Sequence, residues 1–134
     1  MAAARLGIRE QAEPLLVANI AFVAAVALHT SDHLRQTRGV GAVPPAVLAG
    51  GTLIVIMAVT TLVLTLRRHR AAALAATVVG FATAIGVTAS HVLPTWSILS
   101  DSYLELALDG YSWAAALAEI LAGAVLGFVA LRSR

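Results

Sequence analysis

Four stretches of the chain stay apolar for about twenty residues apiece, separated by three more polar interruptions. A helix rising ~1.5 Å per residue needs about 20 such residues to cross the ~30 Å hydrocarbon core of a bilayer. By that measure Leu15 to about Leu34, Pro45 to Leu66, Ala71 to His91 and Trp113 to Leu131 each predict a transmembrane helix. The expected architecture is an all-α integral membrane protein, a four-transmembrane-helix bundle forming one domain over residues 1–134. Pro14 stands at the predicted start of the first helix and Pro45 at that of the second, where the missing N–H removes no intrahelical bond. Pro94 follows the third helix and helps to end it. Between the third and fourth helices, "SYLELALDG" places Ser102 three residues ahead of Glu105 in capping-box spacing, with Gly110 as a stop. This predicts a short interfacial helix in the outer loop.

Arginines orient the bundle. Arg5 and Arg9, then Arg67, Arg68 and Arg70 of the tight "RRHR" turn, then Arg132 and Arg134 all fall on one side. Arg35 and Arg38 fall on the other. The positive-inside rule therefore predicts cytoplasmic N- and C-termini. The opposite, outer side receives the Thr30 to Pro44 loop and the acidic segment with Asp101, Glu105 and Asp109. Trp96, Tyr103, Tyr111 and Trp113 are expected to form its aromatic belt.

Against this apolar background the polar positions inside the spans carry the information. "ALHTSDHLRQTRGV" puts His29, Asp32 and His33 on one side of the first helix, since residues three and four apart share a face. His29 lies 14 residues beyond Leu15, roughly 21 Å up a core of about 30 Å. Glu119 lies 13 residues from Arg132 at the inner end of the fourth helix, roughly 20 Å up and so at nearly the same depth. Glu119, Gly123 and Gly127 share a face, and "GAVLG" is a small-xxx-small pattern of the kind that packs against another helix, which turns Glu119 inward. A carboxylate facing lipid is costly, so a partner for it is expected, with His29 at matching depth. Rows of small residues, Ala82/Gly86/Ser90 and Gly80/Ala84/Thr88, allow the third helix to approach closely and bring His91 in. Asn19 is read as an interhelical hydrogen-bond donor, Asp32 as a helix-end charge paired with Arg35 or Arg38, and His69 as a solvated loop residue.

These positions predict a metal site near the outer face, with His29, His33, His91 and Glu119 as the ligand set. Asp32, Asp101, Trp96 and Trp113 are expected around it. Neutral imidazoles with a carboxylate suit Zn, Cu(II), Fe or Ni. Haem between opposed histidines is a second candidate cofactor, without an attachment motif to support it.

Composition narrows the rest. The chain has 134 residues, 60% hydrophobic and 12% charged, with a mean hydropathy of +0.89, outside the range of soluble domains. Its net charge of +2 comes from nine arginines and no lysine, held in short clusters and not in a stripe, which argues for topology signals and against nucleic-acid binding. With no cysteine, disulfides, thiolate sites and thiol redox chemistry are excluded. "MAAARLGIREQAEP" is too polar for a signal peptide, so the first span is expected to remain in the mature protein. The alanine- and arginine-rich composition suggests a high-GC bacterial source, and hence a multi-pass protein of the inner (plasma) membrane. Beside a metal or cofactor site, two readings stay open: an accessory or scaffold subunit that contacts other membrane subunits or its own copies, and a proton-coupled transporter using Glu119. No nucleophile, phosphate loop or paired-carboxylate motif points to a particular enzymatic reaction.

Overall fold

The computed structural model describes residues 2–37 and 45–134, with side chains from Glu13 onward. Arg38 and the rest of the predicted outer loop to Pro44 lie outside the described residues, as do the side chains of Arg5 and Arg9. Four helices follow in chain order: α1 (Ala2–Thr37), α2 (Pro45–Leu66), α3 (Ala72–Val87) and α4 (Gly110–Arg132). The segment Thr88–Val92 continues α3 as one turn of π-helix. All four are long and apolar enough to cross a membrane, and there is no strand among the described residues.

Three of the helices bury a continuous stripe at alternating spacings of three and four, the pattern of bundle packing. On α1 the stripe runs Leu15, Ala18, Asn19, Phe22, Ala25, Val26 and then, without a break, His29 and Asp32. The register that drives Phe22 and Val26 into the core therefore also carries the polar residues of "HTSDH" inward. On α4 the stripe is Ser112, Ala115, Ala116, Glu119, Gly123, Leu126, Gly127 and Ala130. Leu15, Phe22, Val26, Val79 and Leu126 interlock as the larger apolar core, while Val87, Tyr103 and Ala116 form a smaller one nearer the histidines.

The closest packing joins α3 to α4. A Cβ built at Gly80 would stand 2.5 Å from the Gly123 carbonyl oxygen and 2.6 Å from the Gly127 nitrogen, and one at Gly123 would stand 2.8 Å from the Gly80 oxygen. Only bare backbones fit at such separations, which is the physical content of the small-residue motif. By contrast α2 is peripheral: 11% of its apolar window is buried, against 39–44% in the other three helices. It is held at its C-terminal half, where Ala58, Thr61 and Thr65 are buried and Asn19 Nδ2 donates to Thr65 Oγ1 at 3.1 Å. That contact is the interhelical bond expected of Asn19.

The α2–α3 turn closes by a Schellman arrangement. His69 N–H donates to the Leu64 carbonyl (2.9 Å) and Arg68 N–H to that of Thr65 (3.0 Å), with Arg68 left-handed at φ 49°. Two expectations differ from the structure. Helix α1 does not start at Pro14 but runs through it from Ala2. Good helix formers flank the proline, and they sustain the helix past the lost N–H. The segment after Ser102 is a hydrogen-bonded turn over residues 103–107 and not a helix. Glu105 does not reach back to cap it; its carboxylate accepts from the N–H (3.0 Å) and hydroxyl of Thr95, and Ala107 turns left-handed at φ 49°.

Candidate metal centre

At the end of the bundle remote from the Arg67–Arg70 turn, α1, the π-turn, α4 and the loop before α4 converge on His29. Its ring is 4% exposed, and both nitrogens are engaged. Nδ1 lies 2.6 Å from Glu119 Oε2, and Nε2 lies 2.9 Å from the Tyr103 hydroxyl. A carboxylate accepts, so Nδ1 carries the hydrogen and Nε2 accepts from the phenol, an assignment made from the bonding pattern. Glu119 is held by the α3–α4 glycine contact one turn below it, which fixes its face toward α1. Its other oxygen, Oε1, is buried without a partner.

His33 sits one turn above His29, their ring centroids 4.7 Å apart. Its Nδ1 is also buried without a hydrogen-bond partner. His91 comes from the π-turn, with centroids 4.9 Å from His29 and 5.3 Å from His33. The π-turn explains how it gets there. From Thr83 through Val87 the buried residues of α3 step by four, a spacing that drifts around an α-helix, and the wider turn over Thr88–Val92 lets His91 continue the same face. The bulge also leaves carbonyls for the following loop: Asp101 N–H bonds Ser90 O (2.8 Å), Tyr103 N–H bonds His91 O (2.9 Å), and Trp96 Nε1 bonds Ala89 O (2.7 Å). The first two bonds seat Tyr103 against His91, with ring centroids 4.5 Å apart. His91 Nδ1 in turn donates to the Asp101 carbonyl at 3.1 Å.

Ligand-competent atoms of His29, His33 and His91 all lie within 4.8 Å of one another, close enough to hold a metal ion. Tetrahedral Zn–N bonds of ~2.0–2.1 Å place nitrogens ~3.3 Å apart, so the ring nitrogens need to close by up to about 1.5 Å. Two of the three are already oriented by an acceptor on Nδ1, Glu119 for His29 and the Asp101 carbonyl for His91, which leaves Nε2 as the metal-facing nitrogen. No family model, curated protein or solved structure matches the chain.

The four residues expected as ligands thus come together, while the four expected around them divide. Asp101 contributes its backbone carbonyl to His91, and burial raises its half-buried carboxyl above the usual range. Trp113 packs edge-on against Tyr103 at 5.7 Å. Trp96 is exposed and braces the π-turn from outside. Asp32, though completely buried, faces a different network: Arg35 Nε and Gln36 Nε2 donate to it at 2.9 and 2.7 Å, and Arg35 makes a two-pronged contact with Asp109 at 2.8 and 2.9 Å. Asp109 caps α4 by accepting from Ser112 N–H, and with Arg35 as principal partner its carboxyl is held down to about 2. This chain of charges ties the end of α1 to the start of α4.

Tyr103 is the correction to the aromatic belt. It is fully buried, and burial pushes its phenol well above the usual tyrosine range, so it stays a neutral donor. Its spacing in the sequence carries no sign of this, because its position depends on carbonyls that only the π-turn frees. Thr83, buried beneath the histidines with its hydroxyl unpartnered, was equally invisible among the small residues of α3.

Proposed function

We propose that this chain is a small multi-pass protein of a bacterial inner membrane that holds one transition-metal ion, Zn, Cu(II) or Fe, on His29, His33 and His91 near the outer face. Glu119 acts here as the acceptor that fixes the His29 ring. The observation that carries the reading is the mutual approach of three imidazoles within 4.8 Å on two separate segments, in a setting where burying polar groups is expensive unless they have a use. Nitrogen ligands without thiolate favour these metals over Cu(I).

The test is elemental analysis of protein purified in detergent, stripped with chelator and reloaded with Zn(II), Cu(II) or Fe(II). One equivalent per chain is expected for one of these ions. His33→Ala and His91→Ala should abolish it, and Glu119→Gln should weaken it by ~10–100-fold, the usual cost of losing the group that orients a histidine ligand. Failure to retain any of the three ions above the level of the His33→Ala protein overturns the reading.

One observation favours a second reading, proton-coupled transport. Tyr103, His29 and Glu119 form an unbroken hydrogen-bonded chain at the head of the bundle, the kind of relay that moves protons between a loop and an intramembrane carboxylate. Proton uptake by vesicles that depends on Glu119 but not on added metal would place this reading first. A chain that binds no metal and moves no protons would be left with the third role, an accessory subunit contacting other membrane proteins or its own copies.

A further inference from the structure

The N-terminal half of α2 stands away from the bundle, and the space it leaves is a cavity of about 270 Å³ bordered by α1, α2 and α3. Its walls are largely apolar, including Val26, Val47, Ile54, Met57 and Val87. Its polar lining includes His29, His33 and His91 of the metal centre together with Thr83 and Glu119. Among the described residues five buried side-chain atoms lack a hydrogen-bond partner, and three of these, His33 Nδ1, Thr83 Oγ1 and Glu119 Oε1, belong to residues lining this cavity. Thr83 and Glu119 are each 2% exposed, so no bulk solvent satisfies them. Buried polar atoms are rarely left unpaired, and a cluster at one cavity calls for an explanation.

The unpaired atoms define the missing partner. Glu119 Oε1 accepts, so the partner must donate; Thr83 and His33 can each donate or accept in return. A hydrocarbon, an ether or a fully oxidised quinone has no donor to offer, whereas a hydroxyl serves all three. The apolar walls call for an apolar body behind that hydroxyl. A volume of about 270 Å³ is roughly twice the ~150 Å³ that accommodates benzene in an apolar cavity, room for one substituted ring.

Access is sideways. Leu53 on α2 and Ala82 and Gly86 on α3 line the cavity and are exposed, marking a cleft between these helices. Ala82 lies about midway along the candidate span Ala72–Val92, so in the membrane arrangement proposed above the cleft opens at the depth of the lipid chains. A Cβ added at Gly50, Gly51 or Gly86 would meet nothing within 4 Å, and the glycines keep the cleft clear. We propose that this cavity binds a single-ring, hydroxyl-bearing, membrane-soluble molecule of the phenol or quinol class, admitted between α2 and α3 and held through its hydroxyl by Glu119, Thr83 and His33. The proposal shares His33 and Glu119 with the metal centre but needs no bound ion, since Thr83 and the cleft lie outside the histidine cluster.

The experiment titrates detergent-purified protein, metal-free and metal-loaded in parallel, with 4-propylphenol and with its methyl ether, reading the thermal unfolding midpoint. A saturable rise with the phenol, and none with the ether at equal concentration, is expected in the metal-free protein. Thr83→Val, which keeps the shape and removes the hydroxyl, should weaken the phenol by fivefold or more. Gly86→Phe places a ring in the cleft from a position whose Cβ meets nothing within 4 Å, and should abolish binding while metal content is kept. Equal binding of phenol and ether overturns the proposal, as does binding undiminished in Thr83→Val. So does the absence of any saturable phenol effect, which would leave the cavity to water. Loss of phenol binding with one equivalent of metal retained fails this proposal alone; phenol binding without metal retention fails the metal centre alone.

Discussion

His29 Nδ1 lies 2.6 Å from Glu119 Oε2, joining the first and last helices inside the bundle, where each residue is at most 4% exposed. Neither group would be tolerated there alone. A double-mutant cycle should show this: His29→Ala and Glu119→Ala each leave a buried polar group without its partner, at a cost of about 3–5 kcal/mol apiece. The double variant should cost less than their sum by about 1–3 kcal/mol. Strict additivity in detergent unfolding would mean that the two side chains do not support one another.

A sharper prediction concerns Tyr103. Its hydroxyl occupies His29 Nε2, the nitrogen that a metal on the three histidines would take. Tyr103→Phe removes this competitor, so metal affinity should rise by roughly 2–10-fold, the equivalent of one net hydrogen bond of about 0.5–1.5 kcal/mol. A chelator-competition titration measures it. Affinity weakened tenfold would instead make the phenol oxygen a ligand.

Glycine substitutions separate packing from propensity. At Gly80 a methyl group would meet the backbone of α4 at 2.5 Å, and the two helices can accept it only by moving apart; Gly80→Ala should cost about 1–3 kcal/mol. At Gly86 the same change meets open space, and the gain in helix propensity should leave the protein as stable or up to about 1 kcal/mol more so. Unfolding midpoints that fall equally for the two would contradict the close α3–α4 contact.

The stripe logic explains how much of this could be read in advance. Spans, depth and facing are one-dimensional properties of a helix, and so the meeting of His29 with Glu119 and the burial of Gly123 and Gly127 follow from spacing alone. Features created by irregular backbone do not. His91 stays on the inner face because of a π-turn that no residue in Thr88–Val92 announces, and Tyr103 enters the core because that turn exposes two carbonyls. Ser102 and Glu105 have the spacing of a capping box, but Thr95 offers Glu105 two donors at once and the helix does not form. Asp32 pairs with Arg35, one of the two arginines that helical spacing offers it, while the bridge onward to Asp109 depends on where a loop ends and not on helical spacing.

Orientation is tested through the chain's lack of cysteine. Cysteines introduced at His69, in the arginine-rich turn, and at Ile98, 82% exposed in the loop after the π-turn, should react from opposite sides of sealed cells, Ile98→Cys from outside. Labelling of the His69→Cys protein from outside would invert the bundle and move the histidines to the cytoplasmic face.

The Arg35–Asp109 pair should leave its mark on acid stability. Arg35 holds the Asp109 carboxyl down to about 2 in the folded protein, below the ~3.9 expected of the unfolded chain. A depressed carboxyl stabilises the fold above the unfolded value, and that contribution is lost as pH falls through the folded one. The unfolding midpoint should therefore be insensitive to this pair from pH 7 down to about 5, then decline between about pH 4 and 2. Asp109→Asn separates the pair from the cap, because asparagine caps a helix as well as aspartate does. The variant should keep α4 intact, lose stability at neutral pH and show a shallower decline on acidification. Both residues are about half exposed, so the difference between variant and parent should also shrink as salt is raised. An acid profile identical in the two proteins at low salt would show that the contact does not fasten α1 to α4.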